Sequence, residues 1–460
     1  MYCKRKLCFS TCFMRQRVCI FSRNLYILPM EYKVFGCKTN KYFAEKWLVH
    51  PHLKGKEWYF IASCVVTDRA KAKWVKHAKK ILPKIQWAKK LYLSGCGNIR
   101  DGVVDPKFYE IYNELEWFKD SIEILPEDPD DFMQTSEQKQ EKIKTKIRSL
   151  SKIFGKEIFT RKYMVIQTWC DNFCTFCLTV QARWRHKWRP STEIVEEIRD
   201  FVENGGKEVV FTGINLGAWW ASSSNNYKES RFVELVSKVL SETTIERLRI
   251  SSLWVEFCSP ELIKLFKNKR IIAYAHLSIQ SASQKILQSM NRHYDERKLH
   301  EVLQNFRNIE RDDGQALHIW ADIIVGFPWE TESDFEKSME IVEKYEIAKL
   351  HAFPFSPHLD HYSVPAGNFP DQIPNHIIHA RQKRLLHLWK KVSLWWASKS
   401  LGKEVSLVIE KVSSESFSGW TENYLFCNQT NFEPYPWQKI MRGNIVTWIY
   451  KKIIQGKEDE

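Results

Sequence analysis

Three cysteines stand within eight residues at Cys170, Cys174 and Cys177, in a loop whose other members include Asp171, Asn172, Thr175 and Phe176. Thiolates are soft ligands that suit iron–sulfur clusters. A 4Fe–4S cube has four irons, so three thiolates leave one iron open. An open iron can chelate the amine and carboxylate of S-adenosylmethionine (SAM), and Phe176 is placed to pack on its adenine. The other chemistry open to this spacing is a zinc site, which needs a fourth ligand; His186 is the close candidate.

Three more cysteines occur singly: Cys37, Cys64 and Cys96. Each follows a predicted strand, at Glu31–Gly36, Trp58–Ser63 and Lys90–Gly95, with predicted helices Lys41–His50 and Arg69–Leu82 between them. Alternating strands and helices give a parallel sheet, and ligands collect at the C-terminal edge of such a sheet. The three thiols are therefore expected to converge as a second, three-ligand cluster site. Three unrelated core cysteines are the alternative. Cys258 and Cys427 have no partners at useful spacing and read as packing residues.

The elements around the first site form a second alternating series. Predicted strands are Tyr163–Gln167, Glu208–Thr212, Leu248–Ser252, Tyr274–Gln280, Leu317–Val325 and Lys349–Phe355. Helix Thr192–Glu203 has Ser191 as its expected N-cap and Gly205-Gly206 as its stop, and Glu332–Tyr345 precedes the last strand. Six units make a partial (β/α)6 barrel with its chemistry in the loops after the strands. A long helix is expected from Pro374 to about Leu401, then a short β-rich tail.

The fold class is thus multidomain α/β. It comprises an extension at 1–29, an N-terminal parallel-sheet domain at 30–125, a linker at 126–160, a barrel at 161–385 and a small β-barrel at 400–456. Residues 1–29 hold six Lys or Arg and no acidic residue, and read as lying outside the fold. Twelve cysteines in 460 residues are too sparse for a disulfide scaffold, so a reducing, cytoplasmic setting is expected. No apolar run approaches the ~20 residues that cross a bilayer. A net charge of +15 suits a polyanionic partner.

From Glu31 to Ile454 the chain resembles the radical SAM methylthiotransferases. Gly36-Cys37-Lys38-Thr39-Asn40, Ser63-Cys64 and Ser94-Gly95-Cys96 resemble the family's auxiliary-cluster motifs, and Cys170 through Cys177 its radical SAM signature. Thr212-Gly213-Ile214-Asn215, Gln280-Ser281-Ala282-Ser283, Met290-Asn291-Arg292, Asp322-Ile323-Ile324-Val325-Gly326-Phe327-Pro328 and His351-Ala352-Phe353-Pro354-Phe355-Ser356-Pro357 continue the match. The resemblance implies two 4Fe–4S clusters on the six cysteines. It also implies SAM contacts at Phe176, Gly213, Asn215, Ser252, Gln280 and Arg292, and a C-terminal TRAM-like RNA-binding domain around Gly419–Tyr424. Implied partners are a tRNA anticodon stem-loop and a reducing electron-donor protein, with no membrane.

Gly-Cys-Lys-x-Asn is most like the branch that adds a methylthio group to C2 of N6-threonylcarbamoyladenosine. The isopentenyladenosine branch is the alternative. Basic residues Arg183, Arg185, Lys187 and Arg189 offer RNA contacts or a solvated surface.

The resemblance also implies glycine at Trp169, Trp184, Trp220, Trp320 and Trp329. Tryptophan cannot supply what glycine does where φ is positive. Glycine is scarce, at 17 residues, and tryptophan abundant, at 19. Together they make about the usual glycine share of ~7%. UGA codons read as glycine in the source and rendered here as tryptophan would give this pattern. A non-catalytic iron–sulfur RNA-binding relative is the alternative. Trp47, Trp58, Trp74 and Trp117 fall on ordinary element faces and are expected to pack in cores.

Overall fold

The computed structural model describes residues 31–453, apart from 54–57, 86–89, 101–102, 130–160, 169, 183–186, 224–225, 359–362, 414–415, 424, 431–434 and 436. The extension 1–29, most of the 126–160 linker, Trp169, Trp184, Arg183, Arg185, His186 and Tyr424 therefore lie outside the described residues.

The first sheet contains β1 (Glu31–Val34), β2 (Trp58–Ser63), β3 (Lys90–Gly95) and β4 (Ile122–Ile124), all parallel in the order β1-β2-β3-β4. Two helices link its first strands, α1 (Lys38–Leu48) and α2 (Asp68–Ile81). Trp74 and Ala78 are the buried residues of α2 and face Ile61, Leu91 and Leu93 of the sheet. On the other side, Trp47 of α1 packs on Phe60, Ala62 and Tyr92 and donates its indole N–H to the Pro126 carbonyl at 3.0 Å. Trp117 departs from its expected core role. It is 93% exposed, because the 3-10 turn that carries it buries only Leu115.

Six parallel strands follow: β5 (Lys162–Val165), β6 (Glu208–Thr212), β7 (Arg247–Ile250), β8 (Tyr274–Gln280), β9 (His318–Val325) and β10 (Lys349–Pro354). Hydrogen-bonded ladders join β5-β6-β7 and β8-β9-β10, and bridges Leu248–Ile271 and Leu253–Leu277 close the seam between them. The result is an open barrel of six strands. Alternate residues of each strand, such as Val209, Phe211, Ala275, Leu277, Ile279, Ile319, Ala321 and Ile323, join the main core with the surrounding helices.

Helix α3 (Ser191–Glu203) shows the local logic. Ile194, Val195, Ile198 and Phe201 recur at helical spacing and are buried. Pro190, extended at ψ 141°, occupies the N-cap in place of Ser191, which is the first helical residue. Gly205, at φ 85°, ends the helix in a left-handed turn in which Gly206 N–H returns to the Phe201 carbonyl. Helix α4 (Asn375–Lys399) closes the outer side of β10, with Trp389 and Trp396 donating to the Ala348 and Glu346 carbonyls at 3.0 and 2.8 Å.

A four-stranded antiparallel sheet ends the described chain: β11 (Glu404–Val412), β12 (Phe417–Thr421), β13 (Phe426–Asn428) and β14 (Ile445–Ile449), in the order β13-β12-β11-β14. It is tied to the N-terminal end of the barrel strands by ion pairs Arg161–Glu410 and Arg247–Glu422. Among the described residues no helix is long and apolar enough to cross a membrane.

Two tryptophans adopt glycine-like backbone: Trp220 at φ 73° and Trp329 at φ 66°. Trp220 stacks on Trp188 with ring centroids 4.1 Å apart, and Trp329 on Phe369 at 4.8 Å. Trp320 differs. It sits in regular ladder pairing within β9, so its backbone makes no demand for glycine.

Candidate active site

The loops after β1, β2 and β3 bring Cys37, Cys64 and Cys96 together. Cys64 and Cys96 are buried and hydrogen-bonded to one another, while Cys37 caps α1 and is exposed. The loops can close this far because of their glycines. Gly36 has φ 88°, and a Cβ there would lie 2.5 Å from the Cys64 sulfur. Gly95, at φ 100°, leaves no room between its Cα and the Ser63 carbonyl. Asn40 then pins two loops at once, donating to the carbonyls of Phe35 at 2.8 Å and Ser63 at 2.6 Å.

This thiol set fits a cationic cluster. The hydrogen bond with Cys96, then burial, holds Cys64 well above the usual thiol range, and the neighbouring Cys96 and Cys37 oppose further negative charge. A bound metal centre reverses that preference by deprotonating its thiols outright.

Cys170, Cys174 and Cys177 occupy the loop after β5, the first two buried and the third half-buried. This loop is held from outside. Thr175 N–H donates to the Met290 carbonyl at 3.2 Å, its hydroxyl to Ser289 at 2.8 Å, and the Asn291 amide reaches the Asn172 carbonyl at 2.9 Å. Donors also converge on the sulfurs. Asn172 Nδ2 lies 3.0 Å and Arg292 Nη1 3.8 Å from Cys174, and Thr179 N–H 3.3 Å from Cys177. Burial raises the Cys174 thiol, and Arg292 opposes it. Amide and guanidinium N–H groups aimed at sulfur suit thiolate ligands. Beside them, Asn172 Oδ1, Arg292 Nε and Glu256 Oε1 are buried without hydrogen-bond partners, which fits a polar ligand such as SAM.

The expected SAM contacts divide into two groups. Phe176 packs against Cys170 and Cys174. Arg292, at Cys174, also pairs with Glu256 at 3.2 Å and covers the Trp254 ring at 4.1 Å. Gly213 and Asn215 form the turn after β6, where the Asn215 N–H donates to Gln167 Oε1 at 2.9 Å and a Cβ on Gly213 would strike the Gln167 carbonyl. Gln280 ends β8 at φ 72°. Ser252 instead faces the barrel lumen, its hydroxyl 3.2 Å from His276 Nδ1.

The two cysteine sites meet at one seam. Val65, next to Cys64, and Phe176, next to Cys177, pack on the same apolar cluster of Leu178, Met290, Phe327 and Phe355. His358 Nδ1 bonds Asp68 at 3.0 Å across that seam. Helix α1 covers the open side of the barrel, with Tyr42 and Phe43 against Tyr163, Val165 and Val210.

The lumen holds polar residues that spacing arguments missed. Asp322 Oδ1 accepts from His276 Nε2 at 2.9 Å and His351 Nδ1 at 2.8 Å. Burial opposes its charge, yet the two imidazoles hold Asp322 well below the usual carboxylate range. Deeper, burial would raise Glu208, but Arg249, Arg161 and Arg247 draw it down to about 2. The available signal was period two: Tyr274, His276 and Ser278 alternate with Ala275, Leu277 and Ile279 in a strand that a helix-covered parallel sheet would make apolar throughout. Cys258 and Cys427 are both buried, Cys427 in the core of the C-terminal sheet. Of the basic segment, Arg189 is engaged with Glu197 at 2.8 Å and the Val165 carbonyl at 3.3 Å, while Lys187 is exposed.

Residues 164–342 match the radical SAM superfamily, which sets the class of the barrel and its cysteine loop. A threonylcarbamoyladenosine tRNA methylthiotransferase of Thermotoga maritima is 30% identical over 416 residues, covering 85% of this chain and 89% of that protein. Its counterpart in Rickettsia prowazekii is 28% identical over 83% of this chain and 88% of its own length. A tRNA-2-methylthio-N(6)-dimethylallyladenosine synthase of Thermoanaerobacter sp. is 32% identical over 53% of this chain and 50% of that protein. The chain belongs to the radical SAM tRNA methylthiotransferase family.

Proposed function

We propose that this chain adds a methylthio group to C2 of N6-threonylcarbamoyladenosine in tRNA. The observation that carries the reading is the meeting of two three-cysteine sites at one seam, over a barrel with a polar lumen, in a chain whose full-length relatives bear that name. Cys170, Cys174 and Cys177 would hold the SAM-binding cluster, and Cys37, Cys64 and Cys96 an auxiliary cluster.

When bound, the first cluster supplies the electron that cleaves SAM to a carbon radical, chemistry that belongs to the cofactor. The chain's own part is placement. Asn172 and Arg292 stabilise thiolate charge at Cys174. Phe176 and Val65 keep the seam apolar, which shields a radical from water. Asn40 and Gly36 fix the auxiliary loops, whose Val65 reaches the same apolar cluster as Phe176 of the other cysteine loop. The C-terminal sheet would serve as the TRAM-like RNA grip, and the +15 charge supports a nucleic-acid partner. A reducing protein would supply electrons.

The test is mass spectrometry of anticodon stem-loop RNA after anaerobic turnover. Methylthio-threonylcarbamoyladenosine is the expected product. Modification of isopentenyladenosine RNA instead would overturn the substrate.

A further inference from the structure

Two of the auxiliary cysteines run directly into residues that dock on the barrel. After Cys37, α1 reaches the open side, where the Thr39 and Thr212 hydroxyls stand 3.3 Å apart and Lys41 donates to the Tyr163 hydroxyl at 3.4 Å. After Cys64, α2 opens at Asp68, which meets the loop that follows β10. The Asp68 N–H donates to Ser356 Oγ at 3.4 Å, the Ser356 hydroxyl donates to Asp68 Oδ2, and His358 Nδ1 bonds Oδ1 at 3.0 Å. Both carboxylate oxygens and the N–H of one residue are thus held by a loop 288 residues on.

The surroundings show what this contact does. Asp68 lies at the rim and is half exposed, where a lone ion pair contributes little to stability. Three bonds to one loop fix geometry instead. His358 is buried at φ 49°, a region costly for a residue with a side chain, which persists only where its surroundings impose it. The bond from His358 holds the Asp68 carboxyl below its usual range against partial burial, and Ser356 adds to this. The contact also flanks the apolar cluster shared by the two cysteine loops. Val65, next to Cys64, and Phe355, next to Ser356, both pack in it with Phe176.

We propose that Asp68, Ser356 and His358 form a positioning clamp that sets the auxiliary sulfur site against the SAM site and so ties radical formation to methylthio transfer. This rests on the reading above, in which both cysteine sites serve one substrate. None of the three residues touches a cysteine or the expected SAM contacts among the described contacts, so they act through the Cys64 loop. With α1 docked on one side, the clamp supplies the second anchor that stops the auxiliary domain from pivoting on the barrel. Without it, SAM is still cleaved, but the sulfur stands out of reach of the activated carbon.

The test incubates the iron-loaded full chain anaerobically with SAM, a chemical reductant and threonylcarbamoyladenosine stem-loop RNA. Deoxyadenosine formed is counted against methylthio product, and iron content and RNA-free SAM cleavage are measured beside it. Asp68→Ala and His358→Ala should each raise deoxyadenosine per product by about tenfold or more, since misplacement by ~1 Å slows a transfer strongly. Iron and RNA-free cleavage should stay unchanged. The double variant should be no worse than the worse single one, because the two residues act through one contact. Ser356→Ala should raise the ratio severalfold, and it carries the test if Asp68→Ala loses iron. Any of these variants at the wild-type ratio with full iron overturns the clamp. So does iron loss in all of them, or a double variant whose increase is the product of the single ones. A wild type that forms no product overturns the functional reading instead.

Discussion

The two cysteine sites are built in opposite ways. Cys170, Cys174 and Cys177 share one loop, whose shape depends on hydrogen bonds to the Ser289 and Met290 carbonyls and from the Asn291 amide. Cys37, Cys64 and Cys96 come from three strand ends, and they meet only because β1, β2 and β3 are adjacent and parallel. The first site needs outside clamps to hold a contiguous loop. The second needs a folded sheet before it exists at all, so its integrity reports on the sheet.

The comparison gives separable losses. Cys174→Ala should abolish reductive cleavage of SAM and remove about half of the roughly eight irons expected of two four-iron clusters. Cys64→Ala should also remove about half the iron, but leave SAM cleavage intact while abolishing methylthio transfer. Loss of both activities in both variants would show that the sites do not act independently.

Gly36→Ala sharpens the contrast. Its new methyl would stand 2.5 Å from the Cys64 sulfur at φ 88°. The combined strain and overpacking cost is about 2–4 kcal/mol, directed at the auxiliary loops. Iron should fall at that site alone, as read by iron content and SAM cleavage together.

The barrel's deep ion cluster is a third place to press. Removing Glu208 as Glu208→Gln leaves Arg161, Arg247 and Arg249 facing one another in the interior. Loss of one partner from such a cluster costs roughly 3–5 kcal/mol. The pH dependence follows from the same group. The folded carboxyl titrates near 2, below its ordinary 4.5, so its contribution is complete above about 4.5 and is lost as pH falls toward 2. In denaturant melts the wild type should lose stability over that window, and Glu208→Gln should lose less.

The smallest effects concern the tryptophans. Trp220→Gly and Trp329→Gly trade a stacked ring for relief of roughly 1–2 kcal/mol of left-handed strain, so each should move stability only slightly. Trp320→Gly should cost more, because it removes a buried ring from regular strand β9. Peptide mass spectrometry of the protein from its source shows directly whether glycine stands at Trp220, Trp320 and Trp329.

Much of this was legible in the sequence for stated physical reasons. Strands Trp58–Ser63, Lys90–Gly95, Glu208–Thr212 and Tyr274–Gln280 have the expected bounds, because β-branched and aromatic runs ended by polar loops leave little freedom. Helix ends drifted by one to three residues, as at α1, where Cys37 caps the helix and Lys38 is already helical. The lumen was not legible. His276, Asp322 and His351 lie far apart in sequence, and only the strand ladder aligns them, pairing Ser278 with Asp322 and Asp322 with His351. Lys38 was noticed as a motif letter, but that it reaches Tyr274 depends on how α1 docks on the barrel. Trp117 misled because a helical face was assumed where a 3-10 turn exposes it.

The central claim is that two clusters act on one modified adenosine. The most direct measurement is mass spectrometry of threonylcarbamoyladenosine stem-loop RNA after anaerobic incubation of the iron-loaded chain with SAM and a reductant. The account predicts a mass gain of one methylthio group in place of hydrogen on that base, with none in Cys64→Ala. SAM cleavage by the wild type with no mass gain on that RNA would contradict it.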